Sequence, residues 1–362
     1  MFRSAMFINQ NRNGRRPGPR HWRKSDMNNF WLTLKKPILA LAPMEGVNDS
    51  AFRQICKHWG ADVVYTEFIS ADAIAHDAKR AFDKMSFDPV EQPVVCQIFG
   101  RDPEAFKRAA REVQSRGFAG LDINFGCPAR KVVSHGSGAA LLRRPEFARQ
   151  LIEVALNTVT IPVSIKIRSS IRANPPMTEK KDAARVTAVD LVKAVADLPI
   201  AAIMVHGRSF EQGHTGQIDI EMIKAIKQIF SRPVLANGGI YTPERAKEML
   251  SATGADGLGI ARGAWGQPWL FRQIHQLLDT GHYQPVQVKD IVDTIRHQAE
   301  LCNRLKGERG LIELRKHLVK YFNGWATVAR WRRQAGQVQT LNDITNLLTN
   351  APTHQDQRAA IT

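Results

Sequence analysis

Cys127 stands in the segment Asn124-Phe-Gly-Cys-Pro128, followed by Arg130 and Lys131 and by the glycine-containing stretch Ser134 to Gly138. A thiol with an ordinary pKa of about 8.5 is protonated near neutrality and can act as a general acid. Neighbouring cations pull it towards thiolate, so its surroundings must balance the two tendencies. Its loop predicts a thiol exposed at the mouth of a cavity. Cys56, Cys96 and Cys302 read as inert and buried: Cys96 precedes Gln97 on one apolar run and points the other way, and the other two lie on helical stretches. Four cysteines without a Cys-x-x-Cys pair speak against a disulfide framework and against a zinc site, and no metal is expected. Two further segments, Asn237-Gly238-Gly239 and Ala261-Arg262-Gly263, have the composition of an anion cradle. Glycine lets backbone N–H groups approach the anion, and an arginine forks onto its oxygens.

These residues become a site only if the chain brings them to one end of a common frame. From about 37 to 280, short apolar runs alternate with amphipathic segments, the pattern of βα units on a parallel sheet. The runs are Ile38–Ala42, Asp62–Thr66, Pro93–Cys96, Gly120–Ile123, Val163–Ile165, Ala201–Val205, Val234–Ala236 and Asp256–Ile260. Eight of them, with no Gly-x-Gly-x-x-Gly after the first, predict a closed (β/α)8 barrel rather than an open dinucleotide-binding sheet. Barrel chemistry sits at the C-terminal strand ends. The eight ends carry Pro43-Met44-Glu45, Glu67, Gln97, Asn124 to Cys127, Lys166 with Arg168, His206, Asn237-Gly238-Gly239 and Ala261-Arg262. One buried Lys or His is more often structural than catalytic. Eight polar ends in one ring are hard to explain as packing.

Such a ring suits an anionic, hydrogen-bonding cofactor. The loops after strands seven and eight are where barrels place a phosphate. Lys166 is suited to stabilise negative charge, as on the N1–C2=O edge of a reduced flavin, and Gln97 offers both donor and acceptor to a ring that has both.

The remaining sequence differs in kind. The 362 residues carry Lys+Arg 51 against Asp+Glu 34, a net charge of +17 that favours polyanions, of which nucleic acid is the commonest. No apolar run approaches the roughly 20 residues that cross a bilayer, and no membrane partner is expected. Residues 1–36 read as a basic, disordered arm; an over-long gene start or a transit peptide are the alternatives. Residues 37–282 are expected to form the barrel, 283–350 a small all-helical RNA-binding domain, and 351–362 a disordered tail. Leu311, Leu314, Leu318, Phe322 and Trp325 recur at helical spacing and predict one helix through all five. Residues 301–333 hold nine Lys/Arg against two Glu, more charge than solubility needs.

With these segments in order, the chain resembles the tRNA-dihydrouridine synthases, especially their bacterial B-type subfamily. The matching segments include Ala42-Pro-Met-Glu-Gly46, Asp122-Ile-Asn-Phe-Gly-Cys-Pro128, Lys166-Ile-Arg168, Val205-His-Gly-Arg208, Ala236-Asn-Gly-Gly239, Gly266 to Arg272 and Arg315-Lys-His-Leu318. The resemblance implies that Pro43, Met44, Gln97, Lys166, His206, Asn237, Gly238, Gly239, Ala261 and Arg262 bind FMN, with Glu45 beside them. It implies that Cys127 is the proton donor and that Asn124 and Arg168 meet the target base. NADPH would be the reductant, transfer RNA the substrate, and the cytoplasm the place of action of a monomer. Hydride would pass from flavin N5 to uracil C6, and Cys127 would protonate C5.

Two positions depart from the family. Ala261 stands where Gly usually precedes the arginine, and Ser169-Ser170 follow Arg168 where Gly is usual. The second departure falls in the loop expected to help place the substrate. Three rival readings remain: an FMN barrel acting on free pyrimidines, like dihydroorotate dehydrogenase; a ribosomal RNA as substrate; and an RNA-binding protein on an inactive barrel. The first has no use for a basic helical domain, and intact Cys127, Lys166 and Arg262 speak against the last.

Overall fold

The computed structural model describes residues 29–173, 184–325, 327–349 and 351. Eight strands form the frame: β1 (Ile38–Leu41), β2 (Val63–Ser70), β3 (Val94–Phe99), β4 (Gly120–Phe125), β5 (Val163–Arg168), β6 (Ile203–His206), β7 (Val234–Asn237) and β8 (Gly257–Ile260). All pair in parallel, and β1 returns to β8 through Ile38–Gly257 to Leu41–Ile260, closing the barrel and leaving no sheet edge. This is the (β/α)8 frame that the alternating runs predict. Because helices cover the outside and side chains fill the inside, most strand positions are buried, which is why the runs read as continuously apolar.

Several barrel helices begin at polar caps. Asp49 accepts from Phe52 N, Asp102 from Glu104 N and Thr242 from Arg245 N, each satisfying an N–H that the helix leaves open. Outside the strands, Phe52, Phe106, Leu151, Ile223 and Met249 belong to a continuous shell core. Inside the barrel, Ile38, Ala40, Tyr65, Met204 and Leu235 pack around Trp31.

Trp31 alters one expectation. Residues 29–36, assigned from the sequence to the arm, pack beneath the N-terminal ends of the strands. Trp31 is 1% exposed, stacks on Phe30 with centroids 4.9 Å apart, and joins the inner core. A barrel floor lined by apolar side chains needs an apolar cover, and this aromatic pair supplies it. Residues 1–28 of the expected arm, and 352–362 of the expected tail, lie outside the described residues.

Six strands run past their expected ends, β2 furthest, to Ser70 with a register shift between Tyr65 and Phe68, and then β3 to Phe99 and β5 to Arg168. After β5 the chain makes an antiparallel pair, Ser170–Arg172 with Arg185–Thr187, which the sequence pattern does not reveal. Residues 174–183, at its turn, lie outside the described residues.

Beyond the barrel, the helices Val288–Lys306 and Glu308–Tyr321 meet at Gly307, whose φ of +61° is a left-handed value. Leu311, Leu314, Leu318, Phe322 and Trp325 are all buried in one core, but not on one helix. The helix ends at Tyr321, and Gly324 at φ +79° turns the chain so that Trp325 packs 5.0 Å from Phe322 and 5.1 Å from Trp331. The same core takes in Ala51 and Ile55 from the helix Ser50–His58 and Trp59 at its C-terminal cap, tying the helical part to the barrel. Among the described residues no helix is long and apolar enough to cross a membrane.

Candidate functional site

The C-terminal strand ends surround a cavity of about 510 Å³, within the range of small-molecule sites. Every residue expected to bind cofactor or substrate borders it, as does Cys127, although these residues come from seven of the eight strand ends. Their surroundings differ around the ring.

After β7, Gly238 and Gly239 take φ values of +110° and +70°. A Cβ on Gly238 would lie 2.7 Å from His206 Cδ2 and 2.8 Å from Ile218 Cδ1, and one on Gly263 would lie 1.9 Å from Ile240 O. Glycine is therefore required at both for conformation or space. Asn237 donates through Nδ2 to Gly259 O at 2.6 Å, which pins the start of the turn to β8. Arg262 is exposed, with one Nη2 hydrogen bond to His214 O at 3.1 Å. Arg208, quoted in the sequence motif but given no role there, donates from Nε to Gly216 O at 2.8 Å. Its Nη1 is buried without a partner among the described residues, and its Nη2 would lie 3.9 Å from a Cβ on Gly239. His206 Nε2 is likewise buried and unpartnered. Burial, then the cations Lys166, Arg168 and Arg208, drive the His206 pKa far down, so its ring is neutral.

Lys166 borders the cavity with a pKa lowered to about 8, by burial first and then by Arg168. It keeps most of its charge at neutral pH.

On β3 to β5 the polar side chains are tied to one another. Gln97 Nε2 donates to Asp122 Oδ2 at 2.7 Å, and Gln97 Oε1 accepts from Asn124 Nδ2 at 2.8 Å. Asn124 Oδ1 accepts from the N–H groups of Gly126 and Cys127 at 2.9 and 2.8 Å. Arg168, 1% exposed, donates to three backbone carbonyls: Gly126, Ser209 and Gly213, at 2.8, 2.9 and 2.8 Å. Burial leads the causes that lower its pKa to about 10. Gln97, Asn124 and Arg168, expected to face a ligand, thus spend much of their hydrogen-bonding capacity inside the protein.

Cys127 corrects an expectation. The loop predicts an exposed thiol, and the structure buries it to 6% exposure in the cavity wall. Burial raises its pKa, opposed by the Ala129 N–H and by Lys166 and Arg168, while Glu45 adds to the rise. Burial outweighs the cations, and at neutral pH the group is a thiol. Cys56 and Cys96 are wholly buried in the shell core and Cys302 in the helical core.

The β1 side supplies Pro43, Met44 and Glu45. Lys84 bridges Glu45 and Glu67, the latter at 2.9 Å, and burial raises the Glu45 pKa. Four wall residues beside Arg208 escaped the sequence reading: Phe68, His214, Tyr241 and Trp265. Phe68 lies beyond the apolar run that marked β2, and the others lie in loops without a periodic signal. Trp265 Nε1 is buried and has no partner among the described residues, and its ring faces the helical part, with Lys320 Nζ 4.9 Å from the centroid.

Comparison with known proteins adds a family. The model described as dihydrouridine synthase (Dus) matches residues 40–357. The tRNA-dihydrouridine synthase B of Pseudomonas aeruginosa is 35% identical over 303 residues, 83% of this chain and 88% of its own length. The enzyme of that name from Shewanella oneidensis is 34% identical over 290 residues, covering 80% and 87%. A protein of Synechocystis named probable tRNA-dihydrouridine synthase 1 is 31% identical over 337 residues, covering 92% and 91%.

Proposed function

The chain belongs to the dihydrouridine synthase family, in its bacterial B-type branch, and from that membership we propose that it reduces uridines of transfer RNA to 5,6-dihydrouridine. The cofactor is FMN, the reductant NADPH, and the protein acts as a monomer in the cytoplasm. The observation that carries the chemistry is Cys127: a protonated thiol in the wall of a cavity whose far side has an anion cradle.

FMN fits that cradle on three grounds. A glycine turn with no room for a Cβ stands beside two arginines, Arg208 and Arg262. Among the described residues one Arg208 nitrogen is buried without a partner, and so is His206 Nε2. Buried polar groups without partners are costly unless a ligand completes them. Gly238, Gly239, Arg208 and Arg262 would hold the phosphate, and His206 and Lys166 the polar edges of the ring. When bound, FMN reduced by NADPH supplies the hydride that adds to C6 of the uracil.

Cys127 delivers a proton to C5. Hydride and proton together saturate the C5=C6 bond and leave a thiolate, which Lys166 and Arg168 stabilise until water returns the proton. Asn124 keeps one amide hydrogen for the base. A base stacked in the RNA cannot present its C5=C6 bond to a cavity walled by strand ends, so the uridine must be flipped out to reach it. Residues 283–350 form the domain that docks the RNA, with phosphates held by the lysines and arginines of the helices.

Purified protein given NADPH and transfer RNA from a strain lacking the gene should form dihydrouridine, read by mass spectrometry of the nucleosides. Turnover of free dihydroorotate without product in RNA would overturn the reading.

A further inference from the structure

Asp122 lies inside the barrel on β4, without exposed surface, and the proposed reaction does not use it. Both carboxylate oxygens accept hydrogen bonds: Ser164 Oγ donates to Oδ1 at 2.6 Å and Gln97 Nε2 to Oδ2 at 2.7 Å. The strand register explains the contact, since Gln97, Asp122 and Ser164 are direct neighbours across β3, β4 and β5. From Gln97 the chain of hydrogen bonds continues to Asn124, and from Asn124 to the N–H groups of Gly126 and Cys127.

We infer that Asp122 is a positioning residue for Cys127: its acceptor-only carboxylate sets the direction of the Gln97 and Asn124 amides, and these hold the backbone of the Gly126–Cys127 turn. The inference rests on the proposed function in taking Cys127 as the proton donor.

The two ends of an amide are nearly equal in size, so packing alone does not choose between them. An ionised carboxylate accepts and never donates, and therefore chooses. Turned end for end, Gln97 would set its oxygen against the carboxylate and its NH₂ against that of Asn124. If Asn124 turned too, its NH₂ would face two backbone N–H groups. Gln97 and Asp122 are 0% exposed and Asn124 5%, so water offers little alternative. The titratable groups around Asp122 are Tyr65 on β2, Cys96 on β3 and Lys166 on β5, of which Lys166 is the cation that favours the ionised form. Burial raises the Asp122 pKa to about 6, which leaves the carboxylate ionised at neutral pH.

Amide hydrogen exchange in the full chain tests this without reference to turnover. Asp122→Asn can keep an oxygen for Gln97 with its own NH₂ on the lone pairs of Ser164 Oγ, so every link of the chain can still be made. Asp122→Leu offers neither. Asp122→Leu should speed exchange at Gly126 and Cys127 by at least about tenfold, with Asp122→Asn within about threefold of wild type. The kcat on transfer RNA should fall in the same order, with KM little changed. If Asp122→Leu does not fold, Gln97→Met breaks the chain one link nearer Cys127 and should give the same exchange. Wild-type exchange in Asp122→Leu or Gln97→Met, or Asp122→Asn exchanging as fast as Asp122→Leu, overturns the inference. Exchange that responds as expected in a protein that makes no dihydrouridine upholds the positioning of the turn and removes the proposed reaction.

Discussion

The two sides of the cavity are built on opposite plans. Across β3 to β5, Gln97, Asp122, Asn124, Ser164 and Arg168 are bonded to one another or to backbone carbonyls. Across β6 to β8 and the loop after them, His206, Arg208 and Trp265 each keep a buried polar atom without a partner among the described residues. The first side is organised before any ligand arrives, so reaction there requires little rearrangement. The second is incomplete. A buried group left unpaired costs about 1–3 kcal/mol, and a ligand that pairs it recovers that amount as affinity. Lys166 sits at the seam, bordering the cavity from β5 with its charge shared between the two.

The contrast predicts that substitutions on the two sides break different steps. The largest effect is expected at Cys127. Cys127→Ala should lower turnover of transfer RNA by about 10²–10⁴, the usual contribution of a positioned acid, while flavin retention and reduction by NADPH persist. Cys96→Ala, in the shell core, should keep its activity. Normal dihydrouridine yield from Cys127→Ala would end the assignment of the proton donor.

On the incomplete side, Arg208→Ala and Arg262→Ala should each weaken FMN binding by about 1.5–3 kcal/mol, roughly ten- to hundredfold in Kd, the worth of a hydrogen bond to a charged group. Flavin titration of the apoprotein measures it. If both variants hold flavin like the wild type, the unpartnered Arg208 nitrogen serves something other than the phosphate, and the contrast between the sides loses its meaning.

At the seam the effect is a pH dependence. Lys166 has its pKa lowered to about 8, so its cation disappears as pH rises through that value. Flavin reduction should therefore slow on the alkaline side, with half the loss near pH 8. Lys166→Arg, whose guanidinium stays charged, should move that limb upward. An alkaline limb unchanged in the arginine variant would assign it to another group.

The smallest effect is expected away from the cavity. Neutralising Lys316, Arg330, Arg332 and Arg333 should weaken RNA binding and lower the salt slope of log K by roughly 0.7–0.9 for each phosphate that no longer meets a cation. NADPH oxidation by the flavin should not change. Lys320 is left in place because its ammonium sits over Trp265 in the cavity wall. An unchanged slope with unchanged affinity would retire the docking role of these side chains.

Much of this was legible before any coordinates. Alternating apolar runs fall within a residue or two of most strands, because burial on both faces leaves a continuous apolar signal. Residue types at the strand ends marked the cavity, since a closed barrel brings all such ends together whatever their separation in the chain. What escaped was local geometry. The run that defined β2 stops at Thr66, yet the strand continues past a register shift and carries Phe68 into the cavity wall. Trp31 lies in a stretch that reads as part of a disordered arm and covers the barrel floor instead. The spacing of Leu311 to Trp325 fits one helix, but Gly324 bends the chain and Trp325 reaches the same core from a turn.

By itself the sequence determined the barrel, the ring of polar strand ends and the identity of the thiol, because each depends on residue type and period alone. Only the tertiary structure decided the state of those groups. The protonation of Cys127, the inward commitment of Gln97, Asn124 and Arg168, and the orphaned nitrogens of His206 and Arg208 depend on what packs around each atom. Burial and hydrogen-bond partners are supplied by strands and loops far apart in the chain, and no local pattern records them.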